Sequence, residues 1–443
     1  MRTIKTPDGA EAMGWYWSMA HHTAERTPDE RPRPQRIGPP ARTKKIMVVY
    51  GTRPEAIKMA PVIRQLERSP QLSPLVVLTG QHRSMLEQVN LDFDIEPAHN
   101  LEIMQAGQSL RDITGRSLEG VSRLIETERP DMVLVQGDTT SALSAALAAF
   151  YSQVPVAHLE AGLRTDDVYS PYPEEMNRRL TTRLAALHLV PTPASRANLL
   201  RENVDRGAIV ITGNSVIDAL LWTVDQGRPF TDPRLTAVEQ SGRPILLVTA
   251  HRRESWGQPM RRVAEALAEI SARVPELLIV LPAHRNPVVR EALLPVLRAL
   301  RNVLILEPLP YPDFTRLMSI SRIVLTDSGG VQEEAPSLAK PVLVMRDSTE
   351  RPEGVAAGTA RLVGTSPQVI VGAVEELARD EAAYAAMARA INPYGDGTAA
   401  RRTVDALAYF FEQGPMPEDF DPSAANEKPT VRPGDSDYLT TAS

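Results

Sequence analysis

MVLVQGDTTSALSAALAAFYSQVPVAHLE, residues 132–160, reads as a strand, a helix and a second strand. MVLVQG (132–137) is a short apolar run, SALSAALAAFY is alanine-rich, and VPVAHLE (154–160) is apolar again. Strands alternating with helices across short loops build a parallel sheet covered by helices on both faces. The alternation extends toward the N-terminus through PLVVLTG (74–80) to IMVVY (46–50), which precedes the helical apolar face of AIKMAPVIRQLE. Toward the C-terminus it continues with LHLVP (187–191), SRANLLREN and AIVITG (208–213). A second cycle contains PILLVTA (244–250), LLIVLPAH (277–284), NVLILEP (302–308), RIVLTDSGG (322–330) and PVLVMRD (341–347). The stretch from Asn214 to Arg243, with the turn-like GRPFTDP, joins the two cycles. The expected fold is α/β, with Rossmann-like doubly wound domains at 45–213 and 214–399 and a cleft between them. Open sheets of this kind bind ligands beyond the carboxyl ends of their strands.

Composition narrows the function. The 443 residues suffice for two or three domains. With no cysteine, disulfides, thiolate chemistry and Cys-ligated metal centres are excluded. A net charge of −6 does not suit a nucleic-acid partner, so local basic clusters read as sites for small anions. No apolar run reaches the roughly 20 residues of a membrane span. The apolar patch Trp15 to Ala20 is too short for a secretory signal, so the cytoplasm is the expected compartment. Residues 1–44, net basic, and 413–443, net acidic, lack hydrophobic periodicity and read as disordered tails.

Polar motifs follow the predicted strands. Asp138 and Glu160 end consecutive strands, and neighbouring strands lie roughly 5 Å apart, so both side chains reach one ligand. Glu174, beside Glu175, opens a helix in YSPYPEEMNR. Taken singly these acids are helix caps or helix-terminus charges. Together, in strand-end loops, they suit proton transfer. In GTRPEAIK, Gly51 permits a tight turn and Pro54 suits the first helical position, which predicts a helix N-terminus open to an anion beside Arg53 and Lys58. No GxGxxG follows this strand, so no tightly bound dinucleotide is indicated. Ser328, Gly329 and Gly330 offer a hydroxyl and bare backbone to a phosphate, and Glu333 or Glu334 can accept from a ribose diol. His251 beside Arg252 and Arg253 suits a diphosphate, and His284 occupies the equivalent place one strand later.

GTRPEAIKMAP, GQH, GDTTSALSAALAAFY, HLEAGLRT, SPYPEEMNR, ITGNSVIDAL, HRRES, TDSGGVQEEAPSLAKPVLVMRDSTERPEG and NPYGDG closely resemble the non-hydrolysing UDP-N-acetylglucosamine 2-epimerases. The resemblance runs from about Ile46 to about Phe411. It implies a GT-B-type fold whose last helix, at about 400–412, crosses back to the first domain. It also implies a cytoplasmic homodimer that uses neither cofactor nor metal and supplies N-acetylmannosamine units for cell-surface polysaccharide. UDP is then expected on His251, Ser328, Gly329, Gly330, Glu334 and Arg351, with Phe314 near the uracil and Arg53 and Lys58 reaching in from the first domain. Asp138, Glu160 and Glu174 match the acids of the reaction, with His251 beside them. Gln81, Arg252 and His284 match parts of an allosteric UDP-sugar site of some relatives, although Ser84 stands where those relatives have Gln. Gln136 replaces a common His, and an amide cannot titrate.

The chemistry agrees with this assignment. A proton at C2 of the sugar is not adjacent to a carbonyl, so UDP must leave C1 before that proton becomes acidic. The glycal formed then needs an acid on the opposite face, and cations must retain UDP. A hydrolysing 2-epimerase and a GT-B glycosyltransferase are the alternatives.

Overall fold

A computed structural model describes residues 42–80, 83–105, 107–165 and 167–423. The tail assignments within 1–41 and 424–443, and Gln81, lie outside the described residues. The first sheet comprises β1 (Lys44–Tyr50), β2 (Leu72–Leu78), β3 (His99–Asn100), β4 (Met132–Gln136), β5 (Val156–Leu159), β6 (Leu187–Val190) and β7 (Ile209–Ile211). Its helices are α1 (Arg53–Glu67), α2 (Arg83–Asp92), α3 (Leu110–Glu128), α4 (Thr140–Tyr151), α5 (Glu174–Leu184) and α6 (Pro193–Arg201). Next come α7 (Ser215–Asp225) and α8 (Pro233–Gln240). The second sheet comprises β8 (Ile245–Thr249), β9 (Leu278–Pro282), β10 (Val303–Leu306), β11 (Ile323–Thr326), β12 (Val342–Val344) and β13 (Ala360–Leu362). Around it lie α9 (Gln258–Arg273), α10 (Pro287–Leu297), α11 (Tyr311–Ile320), α12 (Gly329–Glu334), α13 (Pro352–Ala356), α14 (Pro367–Arg379) and α15 (Glu381–Ala388), and α16 (Ala399–Phe410) closes the series.

Every strand pairing is parallel, in the orders β3-β2-β1-β4-β5-β6-β7 and β10-β9-β8-β11-β12-β13. The doubly wound α/β expectation therefore holds in both sheets. Order reverses between β1 and β4 and again between β8 and β11. These are the topological switch points, where loops part and leave a crevice. Strands covered on both faces are apolar throughout, and Ile46 to Tyr50 are all fully buried. Helices α1, α7 and α16 cover one face of the first sheet, while α3 and α4 cover the other.

The sequence reading needs four adjustments. Lys44 belongs to β1, where it pairs with Leu72, rather than to a tail. The connection from Asn214 to Arg243 is mostly helical. In it α7 is shared: Val216, Ile217 and Ala219 join the first domain's core, and Leu220 joins the second's. Phe93 stacks on Trp222 of this helix with centroids 4.7 Å apart. The edge strands β3 and β13 are too short for an apolar run to betray them.

The last adjustment concerns residues 413–423, which pack instead of trailing. Phe420 donates its N–H to the Ile211 carbonyl (2.7 Å), and the Ile211 N–H donates to Asp419 Oδ1 (2.8 Å). Phe420, 2% exposed, fills a pocket made with Ala161, Val190, Leu199, Ile209 and Ile211. Its ring lies 5.4 Å under the Arg402 guanidinium. Beta-strand seven is the sheet's last strand, so this segment straps an edge that would otherwise stand unpaired. A lone aromatic in a Pro- and Asp-rich stretch carries no period, which is why the sequence reads as a tail.

Asp218 of α7 caps α16 by accepting from Ala400 N (2.8 Å) and Ala399 N (3.2 Å). Burial raises its carboxyl from 3.8 to about 7 despite these bonds. A carboxyl raised on folding contributes stability below its unfolded value and loses it as pH climbs through its folded value. Asp218→Asn abolishes that loss. Its melting temperature relative to wild type is expected to rise by several degrees between about pH 5 and about pH 8. A difference that stays flat with pH would contradict this. Buried His158 and His188, lowered to about 4 and about 3 mainly by burial, act in the opposite sense but equally in both proteins, so they cancel.

Candidate active site

At the first switch point the chain supplies its own anion to a helix. Glu55 Oε2 accepts the Gly51 and Thr52 N–H groups (3.0 and 2.7 Å), and its Oε1 accepts from Thr139 Oγ1 (2.6 Å). The N-terminus of α1, expected to be open to a ligand, is thus closed by a capping box. Pro54 takes the second helical position rather than the first, behind Arg53. Lys58, one turn further, points its ammonium at Glu160 Oε1 (2.5 Å).

Glu160 sits just past β5 with φ +61, and it is 8% exposed. Burial alone would raise its carboxyl. Lys58, through charge and hydrogen bond, together with Arg351 and Arg178, outweighs this and holds the group below the usual range. Lys58 is correspondingly raised: burial opposes its charge, but Glu160 and Glu333 prevail. Both directions describe one ion pair. Gln136 donates its amide to Glu160 Oε2, so this residue holds a carboxylate without titrating. Between Gln136 and Asp138 the chain turns at Gly137 (φ +69), whose carbonyl accepts from His158 Nε2 (2.7 Å). Asp138 is half-buried and accepts from Arg178 Nε (2.9 Å), while its carbonyl takes the Asn177 amide (2.8 Å).

The second switch point centres on Asp327, 1% exposed. Its Oδ2 accepts the N–H groups of His251 (2.7 Å) and Arg252 (2.9 Å), and Oδ1 lies 3.1 Å from His251 Nδ1. Burial pushes this carboxyl up, but His251 and the two N–H groups bring it below its usual value. His251 also stacks on exposed His284, with centroids 5.8 Å apart. Gly329 opens α12 beneath two guanidinium groups. A Cβ there would sit 3.3 Å from Arg351 Cζ and 3.4 Å from Arg252 Nη2, so glycine leaves both cations close to the turn without crowding. Ser328 is half-buried and Gly330 exposed at the same turn. Glu334 Oε1 accepts from Tyr311 (2.9 Å), and burial, aided by Glu333, raises it to about 7. Arg53 answers from the first domain: burial lowers its pKa, and the charges of Asp92 and Glu334 pull the other way. Phe314, half-buried, rests on the second domain's core.

A chain of charges joins the domains. Lys58 meets Glu160, Asn214 donates to both Glu160 Oε1 (3.4 Å) and Glu333 Oε2 (3.1 Å), and Glu333 Oε1 accepts from Arg351 Nε (2.8 Å). Beside it lies a cavity of about 470 Å³, whose walls include Lys58, Asp138, Glu160, Arg178 and Arg351. Four expected site residues therefore meet there: Lys58, Asp138, Glu160 and Arg351. His251, Arg252, Ser328, Gly329 and Gly330 gather at the second switch point, and Glu334 with Arg53 lies beside them.

Glu174 is not among the cavity-lining residues, although its Oε2 is buried without a partner. Its neighbour Glu175, fully buried, is consumed by Arg178 (3.1 Å), Arg179 (2.7 Å) and Thr165 N (3.1 Å). Sequence reasoning passed over Asn214 and Asp327 as site members and offered Glu333 only as an alternative to Glu334 at a ribose, whereas the structure pairs it with Arg351 and Asn214. Asp327 and Asn214 both stood inside motifs already quoted, TDSGG and ITGNSVIDAL, but no local chemistry singled either out.

Two doubly wound sheets with an ionic cavity between them define a two-domain α/β protein of the GT-B architecture. A family model described as UDP-N-acetylglucosamine 2-epimerase matches residues 64–408. This chain belongs to that family. It is 52% identical over 376 residues to the UDP-N-acetylglucosamine 2-epimerase of Escherichia coli K12, covering 82% of this chain and 98% of that one. Among solved structures, the UDP-GlcNAc 2-epimerase from Neisseria meningitidis bound to UDP-GlcNAc is 44% identical with a TM-score of 0.75, covering 82% of this chain and 100% of that one. The S. aureus MnaA–UDP co-structure is 43% identical with a TM-score of 0.78, covering 86% and 100%.

Proposed function

We propose that this protein interconverts UDP-N-acetylglucosamine and UDP-N-acetylmannosamine by eliminating UDP and adding it back, without hydrolysis. The observation that carries the proposal is that two carboxylates, Glu160 and Asp138, and Arg351 of the other domain line one cavity. Two acid/base groups and a cation against the leaving group are what the reaction requires.

In the forward direction the C1–O bond breaks and its electron pair departs with the UDP phosphate. A carboxylate takes the C2 proton, and the C–H electrons become the C1=C2 bond of 2-acetamidoglucal. A carboxylic acid on the other face then protonates C2, while a phosphate oxygen re-forms the bond to C1. Atoms balance, and nothing is consumed. Glu160, held ionised by Lys58, suits proton removal, and Asp138 and Glu174 are the remaining acids for the opposite face. The Gly329 turn, with Arg252, Arg351 and His251, suits the diphosphate, and Glu334 suits the ribose. Support also comes from the Neisseria relative, which is bound to UDP-GlcNAc.

Incubation with UDP-GlcNAc in D₂O, followed by NMR, tests the reading. UDP-ManNAc carrying deuterium at C2 is the expected product. Accumulation of free N-acetylmannosamine and UDP would instead indicate the hydrolysing reaction, and absence of exchange would refute epimerisation.

A further inference from the structure

Asn214 follows β7 where the chain first leaves the N-terminal domain, and it is 3% exposed. Its N–H donates to the Tyr394 carbonyl (2.7 Å), in the segment that leads back to α16. Gly213 beside it has φ +83, and a Cβ there would lie 3.4 Å from Gly395 Cα. Both connections between the domains thus touch at this residue.

The side chain has a determined orientation. Asn214 Oδ1 accepts the Val216 N–H (3.1 Å), as the N-cap of α7. That bond fixes which end of the amide is oxygen. Nδ2 must then face the other way, and its two hydrogens go to Glu160 Oε1 (3.4 Å) and Glu333 Oε2 (3.1 Å). Glu160 comes from the first domain and Glu333 from the second. Lys58 neutralises one and Arg351 the other, so the amide is the shared donor between two ion pairs.

We infer that Asn214 is a positioning residue that ties closure of the two domains to the placement of the Glu160 carboxylate. The inference rests on the proposed epimerase reading. With the shared donor present, the two carboxylates are held at one closed arrangement. Without it, no hydrogen bond links the two ion pairs across the domain boundary, the cavity opens, and the glycal and UDP escape before re-addition.

Two substitutions isolate this role from helix capping. Ser and Asp cap a helix about as well as Asn, but neither side chain offers the two N–H donors. Asn214→Ser is therefore expected to melt within a few degrees of wild type, whereas Asn214→Asp, which buries a third carboxylate beside Glu160 and Glu333, should melt lower. For both, kcat should fall by at least roughly tenfold with little change in KM, and the share of UDP-GlcNAc released as 2-acetamidoglucal plus UDP should rise. Asp, which adds a third carboxylate, should be the worse of the two. Epimerisation within about twofold of wild type, with no added glycal, would overturn the inference. Hydrogen–deuterium exchange mass spectrometry gives a readout independent of turnover. Peptides spanning 156–162 and 327–334 should exchange faster in both variants, and wild-type exchange in both peptides would equally overturn it. A wild-type enzyme without C2 exchange refutes the epimerase reading instead, and the peptide exchange still decides Asn214.

Discussion

Glu160→Gln is expected to lower kcat for C2 epimerisation by roughly 10²–10⁴-fold, the range for loss of a positioned acid or base, while UDP affinity stays nearly unchanged. The amide occupies almost the same volume and keeps an oxygen for Lys58, but it cannot take a proton. The groups proposed for the diphosphate and ribose lie on the other domain, which is why UDP binding should persist. Removing one member of a buried pair also strands its partner, here Lys58. Lost stability is therefore separated from lost chemistry with Lys58→Met/Glu160→Gln, which carries no stranded charge. The double variant should regain melting temperature and remain inactive. Asp138→Asn provides a second test, since its amide would still face Arg178. Titration calorimetry with UDP and single-turnover kinetics read the two properties independently. A kcat for Glu160→Gln within about tenfold of wild type would remove this residue from the mechanism.

Gly162→Ala should destabilise the fold by about 2–5 kcal/mol. Gly162 has φ +85, and a Cβ would lie 2.4 Å from the Ser195 carbonyl oxygen and 3.2 Å from Leu199 Cγ. The backbone of α6 cannot swing aside as the end of a long side chain would. Gly162 also lies two residues past Glu160, so any relief by the loop displaces that carboxylate and activity should fall as well. Gly242→Ala is the matched control: it has φ +63 but nothing within 4 Å, and so it loses only the backbone contribution of roughly 1–2 kcal/mol. Urea unfolding of the two variants separates the steric from the conformational part. Equal losses would show that α6 yields after all.

The fold was legible because parallel strands buried on both faces must be apolar from end to end. IMVVY, MVLVQ and ILLVT announce themselves without any partner in view. The edge strands β3 and β13 escape that rule, since they run only two and three residues. The site was legible where chemistry and position coincide, as at Asp138 and Glu160 beyond adjacent strands. It was illegible where a residue's importance depends on two distant segments meeting. Asn214 is an ordinary N-cap in the sequence, and only the folded chain brings Glu160 and Glu333 to the same amide. The opening of α1 misled for a related reason. Glu55 reads as first-turn charge, yet its carboxylate fills the anion position that the turn offers.

The strap at β7 bears on how the edge of the first sheet is shielded. The family match stops at residue 408, short of Asp419 and Phe420. A shorter version cut at that boundary would bare a ladder of peptide groups beside a greasy hole vacated by the Phe420 ring. Such a rim invites a strand from a neighbouring molecule, and with it gelling or precipitation. The acidic stretch that looked like surplus chain therefore serves as a hem, and colloidal behaviour rather than turnover is what its removal would change first.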